Sequence, residues 1–160
     1  MHDLAHIAPT FIATAHRIVW ATVATVTPAG EPSTRILHPI WEWDGSELIG
    51  WIATSPLSPK AKDLDVHPVV SLTYWDPQHD TATAHCRTVW ENSDEQRTAG
   101  WNRFKNAPAP VGYDPSIIPP WTAPTAPAFG IIRLEPTWLR VLPASAMAGG
   151  GGEIMSWRAS

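Results

Sequence analysis

Polar and apolar residues alternate along Arg17–Thr27 (RIVWATVATVT), and the run is rich in β-branched side chains. Alternation with that composition predicts a strand. Pro28-Ala29-Gly30-Glu31-Pro32 then reads as a turn, and Ser33–Trp43 as the returning strand of a hairpin. Asp44-Gly45 marks the next turn and Glu47–Thr54 a third strand. Further on, Val69–Tyr74 and Thr81–Trp90 flank the turn Asp76-Pro77-Gln78-His79. Phe129–Glu135 and Thr137–Leu142 predict two more strands, and Glu153–Arg158 follows the flexible run Gly149–Gly152 as a last one. Helical signals are short. Asp3 caps a helix that Pro9 interrupts early and that runs to about Ala15. Ser58-Pro59 opens a second, and Ser93 with Gln96 gives capping-box spacing for a third, to about Lys105. The Pro-rich stretch 106–127 predicts coil or a lid. Strands meandering in pairs with short helices between them point to a small antiparallel barrel. The long alternating helices of a doubly wound fold are missing, as is a glycine-rich dinucleotide fingerprint.

The stretch Ala53–Tyr74 (ATSPLSPKAKDLDVHPVVSLTY) concentrates the candidate chemistry. A strand end passes through a Ser/Pro turn into a helix whose start carries the Ser58 hydroxyl and the cations of Lys60 and Lys62. Pro59 takes the first helical position, where its missing N–H costs nothing. Free N–H groups and the helix dipole favour an anion there, with phosphate the obvious candidate. The plainer reading makes Ser58 an N-cap and the lysines a solvated face.

At 160 residues the chain predicts a single domain, 1–160, with room for a real core. Charged residues make up only 16% against 44% apolar, and so little charge suggests a surface partly covered by a second copy. The net charge of −4, with no block of like charges, argues against nucleic acid as a partner. No apolar run is long enough to span a bilayer and no signal-peptide pattern opens the chain, so a cytoplasmic protein without membrane partners is expected. The one cysteine, Cys86, excludes an internal disulfide framework and fits that compartment as a buried structural thiol. Ten tryptophans serve as core and interface filling or as walls for a flat heterocycle, and the sequence leaves both open. His2 and His6 have the spacing of helical neighbours, but no third ligand stands near them in the chain, so no metal site is assigned.

The ordered set VATVTPAGEPSTRILHPI, the strand ending IATS followed by SPKAKDL, HPVVSLTYW, DTATAHCRTVW, WNRF and FGIIRLEP resembles the flavin-binding split β-barrel proteins related to pyridoxamine 5'-phosphate oxidase. The resemblance covers roughly residues 15–142, and SPKAKDL-x-x-HPVVSLTY is its most specific part. It implies a homodimer with the cofactor in a groove between subunits. Residue by residue, it implies that Arg35 reaches the cofactor phosphate and that the backbone at Ile36 and Leu37 approaches the flavin. Ala53 and Thr54 match the pair ending the third strand. Ser58 and Lys60 match the phosphate-holding serine and lysine, with Lys62 one helical step on. Thr81 stands where the oxidase has a glutamine. Without the resemblance, Arg35 would read as a surface cation on a hairpin strand.

Departures bound the analogy. Pro59 replaces an arginine, Leu142 falls near a family tryptophan, and the ending EIMSWRAS lacks the arginine-x-histidine pair used for pyridoxamine phosphate. Oxidation of vitamin B6 is therefore not expected. The resemblance implies a flavin-dependent oxidoreductase acting on a small molecule, with FMN as cofactor. The alternative cofactor is the 8-hydroxy-5-deazaflavin coenzyme, whose oligoglutamate tail would need extra cations, for which only Lys62, Arg103 and Lys105 are placed. The other class of function is a non-catalytic flavin- or haem-binding or storage module. His38 and His85 read as satisfied core histidines on strands, and no catalytic residue is assigned.

Overall fold

The computed structural model describes residues 2–160. Eight strands and four helices follow in the order α1 (Leu4–Ile18), β1 (Ala21–Val26), β2 (Pro32–Leu37), β3 (Pro39–Trp43), β4 (Leu48–Thr54), α2 (Pro59–Val66), β5 (Val69–Trp75), β6 (Thr81–Glu91), α3 (Asp94–Asn106), β7 (Gly130–Leu142), α4 (Ala144–Met147) and β8 (Met155–Arg158). All pairings are antiparallel. The order across the sheet is β2-β1-β5-β6-β7-β4-β3, with β8 added on β7. The two outermost strands, β2 and β3, are consecutive in the chain and separated only by His38. A sheet whose opposite edges are joined by one residue must curl round on itself, and the barrel follows from that connection.

Inward positions alternate as the pleat requires. Val23, Ile52, Leu72, Ala84, Ile132 and Leu139 come from five strands and meet in one buried core. α1 closes this core with Ile7, Ala8, Phe11 and Ala15 on one face. The Phe11 ring stands edge-on to Trp41 at 4.9 Å and to Tyr74 at 6.3 Å. Trp41 donates its indole N–H to the Tyr74 hydroxyl at 2.8 Å and its backbone N–H to His16 Nε2 at 2.9 Å. Each fully buried apolar side chain of this size contributes about 1.5–3 kcal/mol. That gain carries α1 through Pro9, whose lost bond falls to the solvent-facing Ala5 carbonyl. The helix therefore runs to Ile18, not Ala15, and the first strand begins at Ala21 rather than Arg17.

Two other sequence expectations change. Ser33–Trp43 is two strands on opposite sheet edges, because the chain turns the barrel corner at His38-Pro39. Residues 129–142 hold one strand, not two. Pro136 stays inside β7 because it faces Cys86 at the register shift between His85 and Cys86, where a ladder N–H is dispensable. Ala144–Met147 is an additional short helix.

The predicted capping box on α3 is present. The Gln96 backbone N–H donates to Ser93 Oγ, and the Ser93 N–H to Gln96 Oε1, both at 3.1 Å. Residues 106–127 are ordered coil, as expected, with one short helical turn at Pro115–Ile117. They fold back on α3 into a second core built from Trp101, Phe104, Val111, Trp121 and Phe129. The Tyr113 N–H donates to the Phe104 carbonyl at 3.0 Å, and Arg97 donates to the carbonyls of Ala126 and Phe129. Among the described residues no helix is long and apolar enough to cross a membrane.

Two predictions test this packing. At Gly112 a Cβ would lie 1.8 Å from the Ala107 carbonyl oxygen, a backbone atom with nowhere to go. Gly112→Ala should cost about 1–3 kcal/mol in chemical denaturation, as overpacking does; an unchanged midpoint would refute the tight apposition. Burial lowers the pKa of both His16 and His38 below their ordinary 6.5. The unfolded chain then binds more protons, so this contribution is complete above about pH 6.5 and is lost as pH falls through the lowered folded values. Asp76, held below the usual carboxylate range by its bond from Arg17, titrates beneath that window. Urea midpoints should fall between pH 7.5 and 5.5, and His16→Gln should flatten the slope.

Candidate functional site

Two neighbouring features make the site. The first is a cluster of buried charge where β2 meets the start of α2. Arg35 faces inward beside its cross-strand partner Val23. Its guanidinium donates to Thr25 Oγ1 at 2.7 Å, Ser33 Oγ at 3.0 Å and the Val23 carbonyl at 3.3 Å. The Asp63 carboxylate lies 3.7 Å away and accepts from Thr25 Oγ1 at 2.6 Å. Lys60 is buried, and its ammonium donates to Ser58 Oγ at 2.7 Å. Ser58 sits at the N-cap position of α2 but makes no capping bond; its hydroxyl donates to the Ser55 carbonyl at 2.7 Å. Burial pushes the Lys60 pKa down, and the charge of Arg35 pushes it the same way. Burial also lowers that of Arg35, with Asp63 opposing. One cation is thus buried and the other half-buried near the start of α2, with a single carboxylate beside Arg35. A dianion would relieve that imbalance.

The second feature is an apolar cavity of about 680 Å³. Ile36, Leu37, Ala53 and Thr54 line it from β2 and β4, opposite Tyr113, Ile118 and Trp121 from the folded-back segment. The chain connects the two features directly: Arg35 precedes Ile36, and Thr54 leads through Ser55-Pro56-Leu57 to Ser58. Eight of the nine residues singled out by sequence therefore belong to this region or, in the case of exposed Lys62, to the adjoining helix. Thr81 stands apart. It starts β6 on the barrel's outer face, paired with Trp75 and Leu142, and its hydroxyl lies 3.5 Å from the Leu142 carbonyl.

Sequence reasoning misjudged both strand histidines. His38 is the residue between β2 and β3, packed among Trp20 at 5.1 Å, Tyr113 at 5.2 Å and Phe104 at 6.2 Å. It lines the cavity, yet its buried Nε2 has no hydrogen-bond partner. That nitrogen is sealed from the cavity, and the Val111 backbone beside the ring partly offsets the effect of its burial. His85 is exposed and rests on Trp138 at 4.7 Å. Only the adjacency of His38 to Pro39 hinted at its place. Val19, on the same wall, has φ 72° and ψ −57°. The Trp20 N–H bonds the Ile18 carbonyl at 2.9 Å around it, giving the rare strained γ-turn of positive φ. That turn sets Trp20 at the cavity rim. Of the ten tryptophans, Trp20 and Trp121 line the cavity. Trp41 and Trp101 are core, and Trp90 and Trp157 pack against the main core.

No family model matches the chain, and no curated protein matches it. Solved structures do match. One is a pyridoxamine 5'-phosphate oxidase-related, FMN-binding protein from Nostoc punctiforme, 16% identical, with TM-score 0.66 over 100% of this chain and 98% of that one. Another, from Clostridium acetobutylicum, is described as related to general stress protein 26 of the pyridoxinephosphate oxidase family. It is 10% identical, with TM-score 0.67 over 97% and 94% of the two chains. A haem-binding protein from Mycobacterium smegmatis is 18% identical, with TM-score 0.62 over 99% of this chain and 59% of that one. The chain thus has the split β-barrel fold of the pyridoxamine 5'-phosphate oxidase-like proteins.

The electrostatics of the site make a prediction independent of any cofactor. Lys60→Met removes a buried cation that is repelled by Arg35, so the ligand-free protein should melt at the same temperature or higher. Inorganic phosphate should raise the melting temperature of the wild type but not of the variant. A strongly destabilised Lys60→Met protein would show that Lys60 is structural.

Proposed function

We propose that this chain is a flavin-binding oxidoreductase of the split-barrel type, holding FMN by its phosphate between Arg35, Ser58 and Lys60. The observation that carries the reading is the buried Lys60 beside the half-buried Arg35 at the start of α2, continuous along the chain with an aromatic-walled cavity. The residues fit the group: the cations match a phosphate dianion, and Ile36, Leu37, Ala53, Trp20 and Trp121 offer flat apolar contact to a tricyclic ring. When bound, a flavin supplies hydride transfer to or from a small organic substrate. The protein's part is to anchor the phosphate, exclude water and orient the ring. The His38 ring adds to the wall of the cavity.

Two copies would complete the site. Trp20 at 59% and Ile36 at 58% exposure leave large apolar surface at its edge, which self-association would cover. The FMN assignment over the deazaflavin coenzyme is supported by the cations meant for an oligoglutamate tail. Arg103 is committed to Glu42 at 2.8 Å and lies over the Trp51 ring, and Lys105 pairs with Asp114 at 3.3 Å. One solved structure with this fold, at 16% identity and TM-score 0.54 over 78% of this chain and 91% of its own, is described as an F420 reductase. That keeps the deazaflavin as the competing ligand.

The second reading, a non-catalytic flavin or haem module, is favoured by one observation: a histidine, His38, lines the cavity, and an imidazole is what a haem iron takes as axial ligand. Plugging of the groove by residues 106–127 is not supported, since that segment walls the cavity and leaves its volume free.

Titration with FMN, the deazaflavin coenzyme and haemin separates these readings. FMN should bind tightest, and Arg35→Ala with Lys60→Ala should weaken it by several kcal/mol, about two charged hydrogen bonds' worth. Reduction of the bound ring by a nicotinamide donor, followed by reoxidation by an organic acceptor, would establish turnover. Haem binding lost in His38→Ala, with no FMN affinity, would overturn the oxidoreductase reading.

A further inference from the structure

The sequence places no third ligand near His2 and His6, but the fold supplies one from the other end of the chain. Glu153 precedes β8, and its two carboxylate oxygens lie 2.8 Å from His2 Nε2 and 3.4 Å from His6 Nε2. The two imidazoles stack nearly parallel, with ring centres 5.2 Å apart and planes at 11°. All three candidate ligand atoms lie within 4.8 Å of one another. A tetrahedral ion with bonds of ~2.0–2.2 Å holds its donors roughly 3.4 Å apart, so side-chain rotations of about 1 Å close the site.

The His2 ring is fixed from behind. Its backbone N–H donates to the Ser156 carbonyl at 2.8 Å, and its Nδ1 lies 3.3 Å from that same oxygen. A proton on Nδ1 facing a backbone carbonyl is the arrangement that presents Nε2 as a metal donor. The Ser156 N–H lies 3.1 Å from the same Nδ1, so the Ser156 backbone holds the ring in either tautomer. His6 and Glu153 are more than half exposed, which leaves room for water as a fourth ligand.

We propose that His2, His6 and Glu153 form a surface site for a divalent transition-metal ion of the zinc type. Two imidazole nitrogens and one carboxylate oxygen suit zinc, cobalt or nickel rather than calcium or magnesium, which take oxygen ligands. The ion would cross-link the entry to α1 with the edge strand β8. None of the three ligands lines the flavin cavity, so this site stands apart from the proposed cofactor chemistry. An ion that binds only the folded chain stabilises it by mass action.

The test is zinc titration of the full untagged chain by calorimetry, with melting curves at each point. One equivalent should bind saturably and raise the melting temperature. Glu153→Gln and His6→Gln should each weaken binding by about tenfold or more, while FMN affinity stays unchanged in both. No saturable uptake near one equivalent would overturn the proposal. So would uptake that neither substitution alters, which would place the ion on other histidines among the seven.

Discussion

The contact between Phe11, Trp41 and Tyr74 is the point on which the molecule closes. A curled sheet leaves an open end, and an open end leaves backbone and apolar side chains wet. α1 stops it with one aromatic ring set edge-on to two others, while Trp41 spends its indole N–H on the Tyr74 hydroxyl and its backbone N–H on His16. Each polar atom brought inside by these large side chains is thereby matched, as burial demands. Burial raises the Tyr74 pKa far above its ordinary value, so the hydroxyl stays neutral and the bond to Trp41 keeps its sense. With β3 and β5 fixed to the plug, the sheet edge next to the candidate site has a defined position.

Much of this was written locally. Alternation marked β1, β4, β5 and β6, and Ser93-Asp94-Glu95-Gln96 announced α3 because a capping box is a short-range device. What escaped was set at long range. Ile18 and Val19 look like strand residues, but α1 claims Ile18 because its face is buried by the barrel. Pro136 looks like a strand end, but a bulge in its own strand, where Thr137 is the extra residue between the pairs His85–Trp138 and Cys86–Pro136, makes room for it. The site divides in the same way. Arg35, Ser58 and Lys60 could be chosen from ordered motifs, whereas the place of His38 in the cavity wall depends on residues 104 and 113 folding over it. The meeting of Glu153 with His2 and His6 needs the whole barrel between them.

The charge cluster also shows where stability and binding pull apart. Arg35 and Lys60 are kept in partial burial with Asp63 as the nearby carboxylate, an arrangement that helps the ligand-free fold little. Its polar neighbours Thr25, Ser33 and Ser58 hold the cations in place, and an anion would relieve their mutual repulsion. The strained turn at Val19 fits the same pattern, since backbone in sparsely populated conformations persists where surrounding structure enforces it.

The single-residue join between β2 and β3 gives the site a fixed ruler. Arg35 and Leu37 lie on one side of His38 and Ile40 on the other, with no loop to absorb a change in length. A shift in the β1–β2 hairpin is therefore passed to the aromatic wall without slack. In engineering terms, the offset between the two closing edges of the barrel is set by a tether one residue long. Lengthening that tether would loosen the closure while leaving every side chain on either strand unchanged.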